Sequence, residues 1–323
     1  MRNKITSGRI TFGPIPSRRL GRSLGINHIP PKICTYSCVY CQVGDTIRLA
    51  IKRQSLYSPP EVKKQVVDKV EELQRRGEKI DFLSFVPDGE PTLDVNLGNE
   101  IGLLKALSIP IAVITNGTLI DNPDVRKDLM QADWVSFKVD AVTEGVWRKI
   151  NCPHADLNLS RILNGMVEFS KEYKGDLNTE TMLVSGLNDS EEELKKISDS
   201  LEKFSNIKAY ISIPTRPPAL KWVKPADEKE INRAYQIFSQ KIERVELLIG
   251  YEGNQFASSG NIRYDMLDIT AVHPMREEAV KKLLEKTGEG WSIINKMVEN
   301  GELIEIYSGG NKFFMRKLPG RKG

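Results

Sequence analysis

Residues 34–41 read Cys-Thr-Tyr-Ser-Cys-Val-Tyr-Cys, so three thiols fall within a stretch of eight residues. Gaps of three and then two residues bring the three sulfurs to one side of a tight loop, as thiolate ligands of an iron–sulfur cluster require. We therefore predict that Cys34, Cys38 and Cys41 hold three irons of a [4Fe-4S] cluster. The fourth iron would have no protein ligand, so a small molecule could coordinate it and receive an electron directly.

A structural zinc site is the alternative interpretation of clustered cysteines. Structural zinc has four ligands in a closed tetrahedron, so a fourth Cys or a His would be needed. The remaining cysteine, Cys152, lies in a different predicted strand–helix unit, and no His flanks the loop. Four cysteines in a chain of 323 residues do not form a disulfide framework either. The spacing therefore favours an open iron–sulfur cluster.

The overall composition is that of a soluble globular protein, with 40% hydrophobic and 28% charged residues. No stretch approaches the roughly 18 apolar residues that a membrane span needs. The charged N-terminus is not followed by the apolar segment of a secretory signal. We therefore expect a cytoplasmic protein with reduced thiols and no membrane partner.

The net charge of +4 conceals an asymmetry, because the first acidic residue is Asp45. Seven cations precede it: Arg2, Lys4, Arg9, Arg18, Arg19, Arg22 and Lys32. They could attract an anionic substrate such as RNA to the cysteine loop. Alternatively, they could offset the negative charge of a thiolate-bound cluster, or be solvated, and both interpretations stay open. Five more cations are predicted to form a solvated tail: Lys312, Arg316, Lys317, Arg321 and Lys322.

Short apolar runs alternate with amphipathic segments of helix length along most of the chain. The predicted strands cover residues 23–29, 80–86, 111–115, 134–139, 179–184 and 208–213. The predicted helices cover residues 59–77, 96–107, 123–131, 160–173, 190–204 and 227–242. This α/β pattern predicts a partial (βα)6 TIM-like barrel that is open on one side, with a further edge strand at residues 245–251. The cysteine loop follows the first strand, at the barrel mouth where active sites form.

A polar, Gly/Ser-rich segment at residues 252–264 reads as a linker between two domains. Residues 1–251 would be the core barrel with a basic N-terminal extension, and residues 265–323 a small C-terminal domain with a basic tail. In that domain we predict an extended stretch, two helices and a hairpin, which together resemble a winged helix. The predicted segments are residues 266–272, 274–286, 291–300 and 302–316.

The cysteine spacing, with Tyr40 just before the last cysteine, resembles that of the radical S-adenosylmethionine (radical SAM) superfamily. Two later loops strengthen the resemblance: Gly89-Glu90-Pro91 follows the second predicted strand, and Thr115-Asn116-Gly117 ends the third. The resemblance implies that S-adenosylmethionine (SAM) binds the open iron and that the loop of Gly89 and Glu90 hydrogen-bonds its amino group. A carboxylate suits that role because it pairs with an ammonium. It also implies that the loop of Asn116 lies near SAM.

The fourth predicted strand carries polar residues at alternate positions, Ser136, Lys138 and Asp140. Alternation places them on one face, where Lys138 and Asp140 could line the barrel and contact the carboxylate and ribose of SAM. An internal salt bridge between strands is the alternative. Tyr40 could lie near the adenine or simply pack, and residues 182–186, beginning at Met182, are expected to border the adenine through their backbone.

The resemblance also implies the reaction. An electron from the reduced cluster, delivered by a donor of the flavodoxin or ferredoxin type, would cleave SAM to methionine and a 5′-deoxyadenosyl radical that abstracts a hydrogen atom. Within the superfamily, residues 12–21, 30–32 and 270–276 resemble a prokaryotic group related to wyosine-base (tRNA) synthases. Those synthases bind a second cluster through cysteines ahead of the first, and none occurs here before Cys34. We therefore expect one cluster and no wyosine precursor as product.

The substrate is the least determined feature. RNA, in particular tRNA, is the first expectation, a peptide or protein is the second, and a DNA-binding iron–sulfur regulator is the rival from another class. Cys152 is a candidate hydrogen-atom donor or radical trap, with inert packing as the alternative. His28 and His154 are expected to make local hydrogen bonds.

Overall fold

A computed structural model describes residues 9–250, 253–254 and 256–317. The elements of the larger part, in chain order, are β1 (Thr11–Ser17), β2 (Gly21–Ile26), β3 (Ile33–Cys34), β4 (Arg48–Leu49), α1 (Pro59–Arg75), β5 (Phe82–Phe85), α2 (Leu97–Leu104), β6 (Ile111–Thr115), α3 (Pro123–Leu129), β7 (Trp134–Lys138), α4 (Glu144–Asn151), α5 (Leu159–Glu172), β8 (Asp176–Met182), α6 (Glu191–Leu201), β9 (Ile207–Ser212), α7 (Glu228–Ser239) and β10 (Arg244–Leu248). They are followed by α8 (Ile262–Val272), β11 (Met275–Arg276), α9 (Glu277–Thr287), α10 (Ser292–Glu299), β12 (Leu303–Ser308) and β13 (Asn311–Arg316).

The main sheet has eight strands in the order β1-β2-β5-β6-β7-β8-β9-β10. Every neighbouring pair from β2 to β10 is parallel, whereas β1 pairs antiparallel with β2. All six predicted strands and all six predicted helices are present, with ends shifted by a few residues. The predicted edge strand is β10, and its last predicted residue, Tyr251, lies outside the described residues.

The sheet curves so that its two ends approach each other. Leu20, in the turn between β1 and β2, packs in one buried cluster with residues of β6, β7, β9 and β10. The neighbouring Arg18 donates from Nη2 to the carbonyl oxygen of Leu248, in β10, at 2.8 Å. Only a curved sheet brings the start of β2 to β10 in this way. Because β1 and β10 do not pair with each other, the sheet remains open along one side.

The two faces of the sheet bury different kinds of side chain. The outer face is apolar and packs on the helices; Val135 and Phe137 of β7 belong to this core. The inner face is mixed: Trp134 and Tyr210 belong to the apolar Leu20 cluster, whereas Ser136 is buried there and Ser23 of β2 hydrogen-bonds Ser84 of β5. The polar part of this face needs internal partners, which predisposes the barrel interior to hold ion pairs and a polar ligand.

Strands β1, β3 and β4 and helix α4, all near the site, were not predicted. Strand β1 contains Gly13 and Pro14, which are typical of a loop, but edge strands tolerate proline, and a register shift between Phe12 and Ile15 accommodates both residues. Strands β3 and β4 have two residues each, too few for a pattern, and helix α4 has eight residues. Its C-terminal end supports the cysteine loop, so this omission bears on the site.

The prediction of an extended stretch at residues 266–272 is wrong, because these residues belong to helix α8. Their Ile, Thr and Val content favours a strand, but burial of Ile262, Met266 and Ile269 on one side selects a helix, which Asn261 caps. The helix begins inside the predicted linker. The predicted start of the next helix at Pro274 is also too early, because β11 pairs with β13 before α9 begins.

The C-terminal elements occur in the order helix, strand, two helices and a hairpin, with a three-stranded sheet β11-β13-β12. The predicted hairpin is confirmed. Helix α8 packs against the main sheet, where Ala271 and Val272 form a buried cluster with Phe12 and Val43. In the described part of the chain, no helix combines the length and the apolar content needed to cross a membrane.

Candidate cluster and cofactor site

The cysteine loop lies beyond the carboxyl end of β2 and is fastened on three sides. Ala50, next to β4, donates its backbone N–H to the carbonyl of Cys34 at 3.0 Å. Val39 donates to the carbonyl of Ile150, in α4, at 3.0 Å, and accepts from Leu220 at 3.1 Å. The loop is therefore held by β4, by the end of α4 and by the loop that follows β9.

Each predicted ligand sulfur has its own polar neighbour from a different part of the chain. The contacts are Asn116 Nδ2 to Cys34 Sγ at 3.6 Å, Asn151 Nδ2 to Cys38 Sγ at 3.4 Å, and Lys32 Nζ to Cys41 Sγ at 3.9 Å. Donors of this kind stabilise thiolates and tune the redox potential of a cluster.

The three thiols form no disulfide and are half-buried, so they are available to ligate iron. Desolvation by the surrounding protein, reinforced by Glu90, raises the pKa of Cys34 to about 12. Desolvation, reinforced by Asp140, also raises the pKa of Cys38 well above its ordinary value. Without a metal, the thiols of Cys34 and Cys38 are protonated at neutral pH, so iron binding must displace their protons. Three sulfurs in one loop fit an iron–sulfur cluster with one open iron.

Glu90 lies in the loop after β5 and is almost completely buried. Its Oε1 accepts from the Thr92 backbone N–H at 3.0 Å, the Thr92 hydroxyl at 2.6 Å and the Thr115 hydroxyl at 2.5 Å. Its Oε2 accepts from the backbone N–H of Asn116 at 2.9 Å. Burial raises the pKa of Glu90, and these donors oppose that effect. The carboxylate thus joins the loops after β5 and β6.

Two glycines are needed in these loops, one for a close approach to the cysteine loop and one for a left-handed backbone conformation. Glu90 donates its backbone N–H to the carbonyl of Ile33 at 3.1 Å, and a Cβ on Gly89 would lie only 2.1 Å from that carbonyl oxygen. Gly117 has φ +70°, and a Cβ there would lie 2.3 Å from Met166 Cε. Glycine is therefore required at both positions.

Asn116 connects the β6 loop to the first cysteine. Besides its contact with Cys34, its Nδ2 donates to the Thr35 hydroxyl at 2.6 Å. Its Oδ1 accepts from the backbone N–H of Thr118 at 3.1 Å and from the Thr118 hydroxyl at 2.8 Å. The amide is therefore held in one orientation, with its N–H groups toward the cysteine loop.

Lys138 forms the internal salt bridge that was the alternative to a SAM contact. Its Nζ lies 3.1 Å from Glu180 Oε1 and 3.8 Å from Asp140 Oδ1. Glu180, on β8, also pairs with Arg19 Nη1 at 2.5 Å and accepts from the Ser212 hydroxyl at 2.8 Å. Burial alone would lower the pKa of Lys138, but the two carboxylates raise it. Burial alone would raise the pKa of Glu180, but the positive charges of Lys138 and Arg19 hold it far below its usual range.

Asp140 is the junction between the cysteine loop and β8. Its Oδ2 accepts from the Tyr40 hydroxyl and from Asn151 Nδ2, the latter at 2.7 Å. Its Oδ1 accepts from the backbone N–H of Met182 at 2.8 Å. The Tyr40 ring also lies under Lys138 Nζ, which is 5.2 Å from the ring centroid. The structure thus brings three of the predicted SAM-contacting side chains, Tyr40, Lys138 and Asp140, together with the backbone of Met182.

Cys152 has a structural position. It caps the C-terminal end of α4 in the left-handed region, with φ +42°. Its thiol contacts the Lys149 carbonyl oxygen at 3.7 Å, and burial raises its pKa. This position agrees with the inert interpretation. Cys152 is separate from the three cysteines of the loop, although its neighbour Asn151 contacts one of them.

The basic N-terminal segment is used largely for internal contacts. Arg2 and Lys4 lie outside the described residues. The other five each have a chain partner: Arg9 with Asp268, Arg18 with Leu248, Arg19 with Glu180, Arg22 with Glu78, and Lys32 with the carbonyl of Gly44. The tail cations Arg321 and Lys322 also lie outside the described residues, and Lys312 pairs with Glu305. The cations from Arg9 to Lys32 therefore do not form an unengaged anion-attracting surface.

Sequence reasoning missed two side chains that complete the site, Asn151 and Glu180. No local pattern distinguishes Asn151, which directly precedes Cys152. Glu180 alternates with Asn178 and Met182 along β8, so strand periodicity could have placed it on the inner face. Lys32 was among the cations that could offset the charge of a thiolate-bound cluster, and its contact with Cys41 agrees with that interpretation.

A family model, a relative in sequence and two solved structures resemble this chain. A family model described as the radical SAM superfamily matches residues 29–198. A UPF0026 protein of Methanocaldococcus jannaschii is 48% identical over 314 residues, which cover 97% of each chain. The structure of a radical SAM methyltransferase from Sphaerobacter thermophilus is similar, with TM-score 0.57 and 16% identity over 70% of this chain and 66% of that chain. So is TYW1 with a lysine–pyruvate adduct bound, with TM-score 0.51 and 17% identity over 68% and 73%.

Proposed function

Because this chain belongs to the radical SAM superfamily, we propose that Cys34, Cys38 and Cys41 hold a [4Fe-4S] cluster that binds SAM. When bound, the cluster supplies the electron that splits SAM into methionine and a 5′-deoxyadenosyl radical, which abstracts a hydrogen atom from the substrate. The observation that supports this proposal most directly is the three-thiol loop, in which each sulfur lies beside its own polar side chain.

The charged groups around the loop suit the two ends of the SAM amino acid. Glu90 Oε2 accepts one hydrogen bond from Asn116, which leaves a lone pair for an ammonium. Lys138 has three donor hydrogens, and its described partners are Glu180 and Asp140. We infer that its remaining hydrogen serves the SAM carboxylate. Asp140 is already bonded to Tyr40, Asn151 and Met182, so we assign it to positioning the cysteine loop.

For the substrate we propose an RNA base, as in a tRNA. A groove of about 820 Å³ begins at Gln42, next to the third cysteine, and is bordered by Trp222 and Tyr307. The two rings are exposed by 54% and 74%, respectively. Unstacked RNA bases are held by stacking on exposed aromatic rings. The aromatic groove supports an RNA substrate better than the N-terminal cations do, because those we describe are engaged.

The C-terminal part would complete this groove. Its order of helix, strand, two helices and hairpin is that of a winged helix, and we interpret it as one. The hairpin β12–β13 would be the wing, and it carries Tyr307 at the groove. In this interpretation the winged helix holds the substrate over the barrel mouth, and a flavodoxin or ferredoxin reduces the cluster from another side.

The first experiment tests the chemistry. Protein reconstituted anaerobically with iron and sulfide should form 5′-deoxyadenosine when SAM and a reductant are added. The variant Cys34→Ala/Cys38→Ala/Cys41→Ala (the triple-cysteine variant) should form none, whereas Cys152→Ala should behave as wild type. No 5′-deoxyadenosine from wild-type protein with a full complement of iron would refute the proposal and favour a DNA-binding regulator.

A second experiment tests the substrate class. Binding to tRNA should weaken as salt rises, because phosphate contacts release counterions. Deuterium transfer from labelled RNA into 5′-deoxyadenosine would identify RNA as the hydrogen donor. Transfer from a peptide, with tRNA binding no stronger than that of a neutral protein, would instead assign a peptide substrate.

A further inference from the structure

Three buried side chains meet behind the loop that carries Glu90. His28 follows β2, Asp94 follows the short helical turn Pro91–Leu93, and Glu100 lies in α2. Each is 0% exposed. One ligand atom from each, an imidazole nitrogen or a carboxylate oxygen, lies within 4.8 Å of the other two. These residues are separate from the cysteine loop and take no part in the chemistry proposed above.

Four atoms of this group have no partner with hydrogen-bond distance and angle among the described residues: His28 Nδ1, Asp94 Oδ2 and both carboxylate oxygens of Glu100. The backbone of Ile26 lies near His28, and the backbone of Leu56 and Tyr57 lies near Asp94. The remaining polar atoms are engaged. His28 Nε2 contacts the Pro91 carbonyl oxygen at 3.3 Å, and Asp94 Oδ1 accepts from the Asn96 backbone N–H at 2.8 Å. Buried polar atoms are rarely left unpaired. Four such atoms on three adjacent side chains indicate that a partner belongs between them.

We propose that four ligand atoms, His28 Nδ1, Asp94 Oδ2 and both carboxylate oxygens of Glu100, bind one divalent transition-metal ion, for which Zn²⁺ is the best match. Imidazole together with carboxylate suits zinc, whereas Mg²⁺ and Ca²⁺ prefer oxygen ligands alone. Two carboxylates and one neutral imidazole balance the charge of a divalent ion. The filled site is therefore neutral overall, as its complete burial requires.

The spacing of the ligand atoms is compatible with a single ion. Zinc lies about 2.0–2.2 Å from nitrogen and oxygen ligands, so two ligands of one tetrahedral ion are about 3.3–3.6 Å apart. One ligand atom of each residue lies within 4.8 Å of those of the other two, so side-chain shifts of about 1 Å close the site around an ion. The imidazole is held for this role by its contact with Pro91 and by an edge contact with Phe85, with ring centroids 4.9 Å apart.

The ion would brace the loop of Glu90. It would link the end of β2, through His28, to α2, through Glu100, and to Asp94, which follows Glu90 by four residues. The Glu90 carboxylate is bonded to Thr92 inside the same short loop. The three ligands are therefore positioning residues, and the site is structural. Metal binding itself does not depend on the proposed function. Only the effect of the bound ion on SAM binding, through the position of Glu90, rests on that function.

Protonation of these side chains is the alternative to a bound metal ion. Burial, reinforced by Asp94, raises the pKa of Glu100 to about 9, and burial raises the pKa of Asp94 to about 6. Burial also lowers the pKa of His28 to about 4. In metal-free protein, Glu100 would then be protonated at neutral pH and could share its proton with Asp94. The experiment must separate this state from a bound ion.

The test uses the full-length triple-cysteine variant, whose cluster ligands are absent. Elemental analysis after exhaustive dialysis should find about one transition-metal ion per chain. After chelation, added Zn²⁺ should raise the melting temperature, and added Co²⁺ should give visible d–d absorption without thiolate charge transfer. His28→Ala, Asp94→Asn and Glu100→Gln in that background should lose the ion and both responses.

His154→Ala is the matched control, because His154 lies outside the group, and it should retain the ion. Near-ultraviolet circular dichroism checks that each variant is folded. If the variants do not fold, the Zn²⁺ and Co²⁺ titrations of the triple-cysteine variant still decide the question. Less than about a tenth of an ion per chain, with no response to Zn²⁺, Mn²⁺, Fe²⁺ or Co²⁺, would overturn the proposal in favour of the protonated group. Because no SAM is used, this result is independent of the 5′-deoxyadenosine assay.

Discussion

The side-chain amide of Asn151 lies 3.4 Å from the sulfur of Cys38, although the two residues are 113 positions apart in the chain. The same nitrogen donates to Asp140 Oδ2 at 2.7 Å. Asp140 also accepts from Tyr40, which precedes the third cysteine. One amide therefore ties the middle of the cysteine loop to α4 and to the end of β7, and it offers a hydrogen bond to a ligand sulfur.

We expect Asn151→Ala to lower the reduction potential of the cluster. A hydrogen bond to a ligand sulfur favours the more negative, reduced cluster, and its loss removes that preference. If the bond contributes about 0.5–1.5 kcal/mol, the shift is about 20–60 mV for one electron. The measurement is a redox titration followed by electron paramagnetic resonance. Asn158→Ala, which removes a surface helix cap, should leave the potential unchanged; an equal shift in both variants would contradict the assignment.

We expect Glu90→Gln to weaken both the fold and the affinity for SAM. The glutamine amide places N–H groups where the carboxylate now accepts four hydrogen bonds, so the free energy of unfolding should fall by about 1–3 kcal/mol. If Glu90 faces the SAM ammonium as proposed, loss of its charge should weaken binding by about tenfold or more. Urea unfolding and calorimetric SAM titration measure the two effects. Glu61→Gln, on exposed α1, should change neither; unaltered SAM affinity in the Glu90 variant would remove Glu90 from the binding site.

Glu180→Gln should destabilise the protein in a pH-dependent way, because it leaves Lys138 and Arg19 buried without their shared carboxylate. Removing one partner of a buried ion pair costs about 3–5 kcal/mol. The pKa of Glu180 is depressed in the folded state from an ordinary value of 4.5. Its stabilising effect is therefore complete above about pH 5 and is lost as the pH falls toward the lower folded value.

This pH dependence is measured as the difference in unfolding free energy between the triple-cysteine variant with and without Glu180→Gln. That background avoids the acid lability of a cluster. The difference should be largest near neutral pH and should shrink between about pH 5 and pH 3. A difference that stays constant over this range would mean that the charge of Glu180 does not stabilise the fold.

Trp222→Ala and Tyr307→Ala should weaken RNA binding with little effect on 5′-deoxyadenosine formation in the absence of substrate. Stacking contributes about 1–3 kcal/mol per base, so each substitution should raise the dissociation constant by about 5- to 150-fold. Fluorescence anisotropy with labelled tRNA measures the change. Tyr235→Ala is the control, since this ring on α7 is also exposed, by 41%, but lies outside the groove. Equal losses in all three variants would argue against stacking in the groove.

The features predicted correctly from the sequence are those that depend on neighbouring residues. The six strand–helix units and the three clustered thiols follow from local spacing, and the superfamily follows from the same thiols. The failures are also physical. The strand-like composition of residues 266–272 was overridden by burial of one face of α8. Strand β1 was hidden because its glycine and proline are accommodated by an edge position and a register shift.

The candidate site was predicted in part. Glu90 and Asn116 meet at the cysteine loop as expected. Lys138, by contrast, is paired with Glu180, a residue that was not considered. The strand register explains this difference: Lys138 of β7 lies directly opposite Glu180 of the adjacent parallel strand β8, and neither strand's own pattern specifies that register.

The sequence by itself determined the spacing of Cys34, Cys38 and Cys41 and the alternation of strands and helices, because both are properties of adjacent residues. The tertiary structure alone decided that Asn151 reaches Cys38, that Glu180 reaches Lys138, and that His28, Asp94 and Glu100 share one buried space. These partners come from separate elements. Their meeting depends on the register between neighbouring strands and on how the sheet, the helices and the loops pack. No local sequence pattern specifies either one.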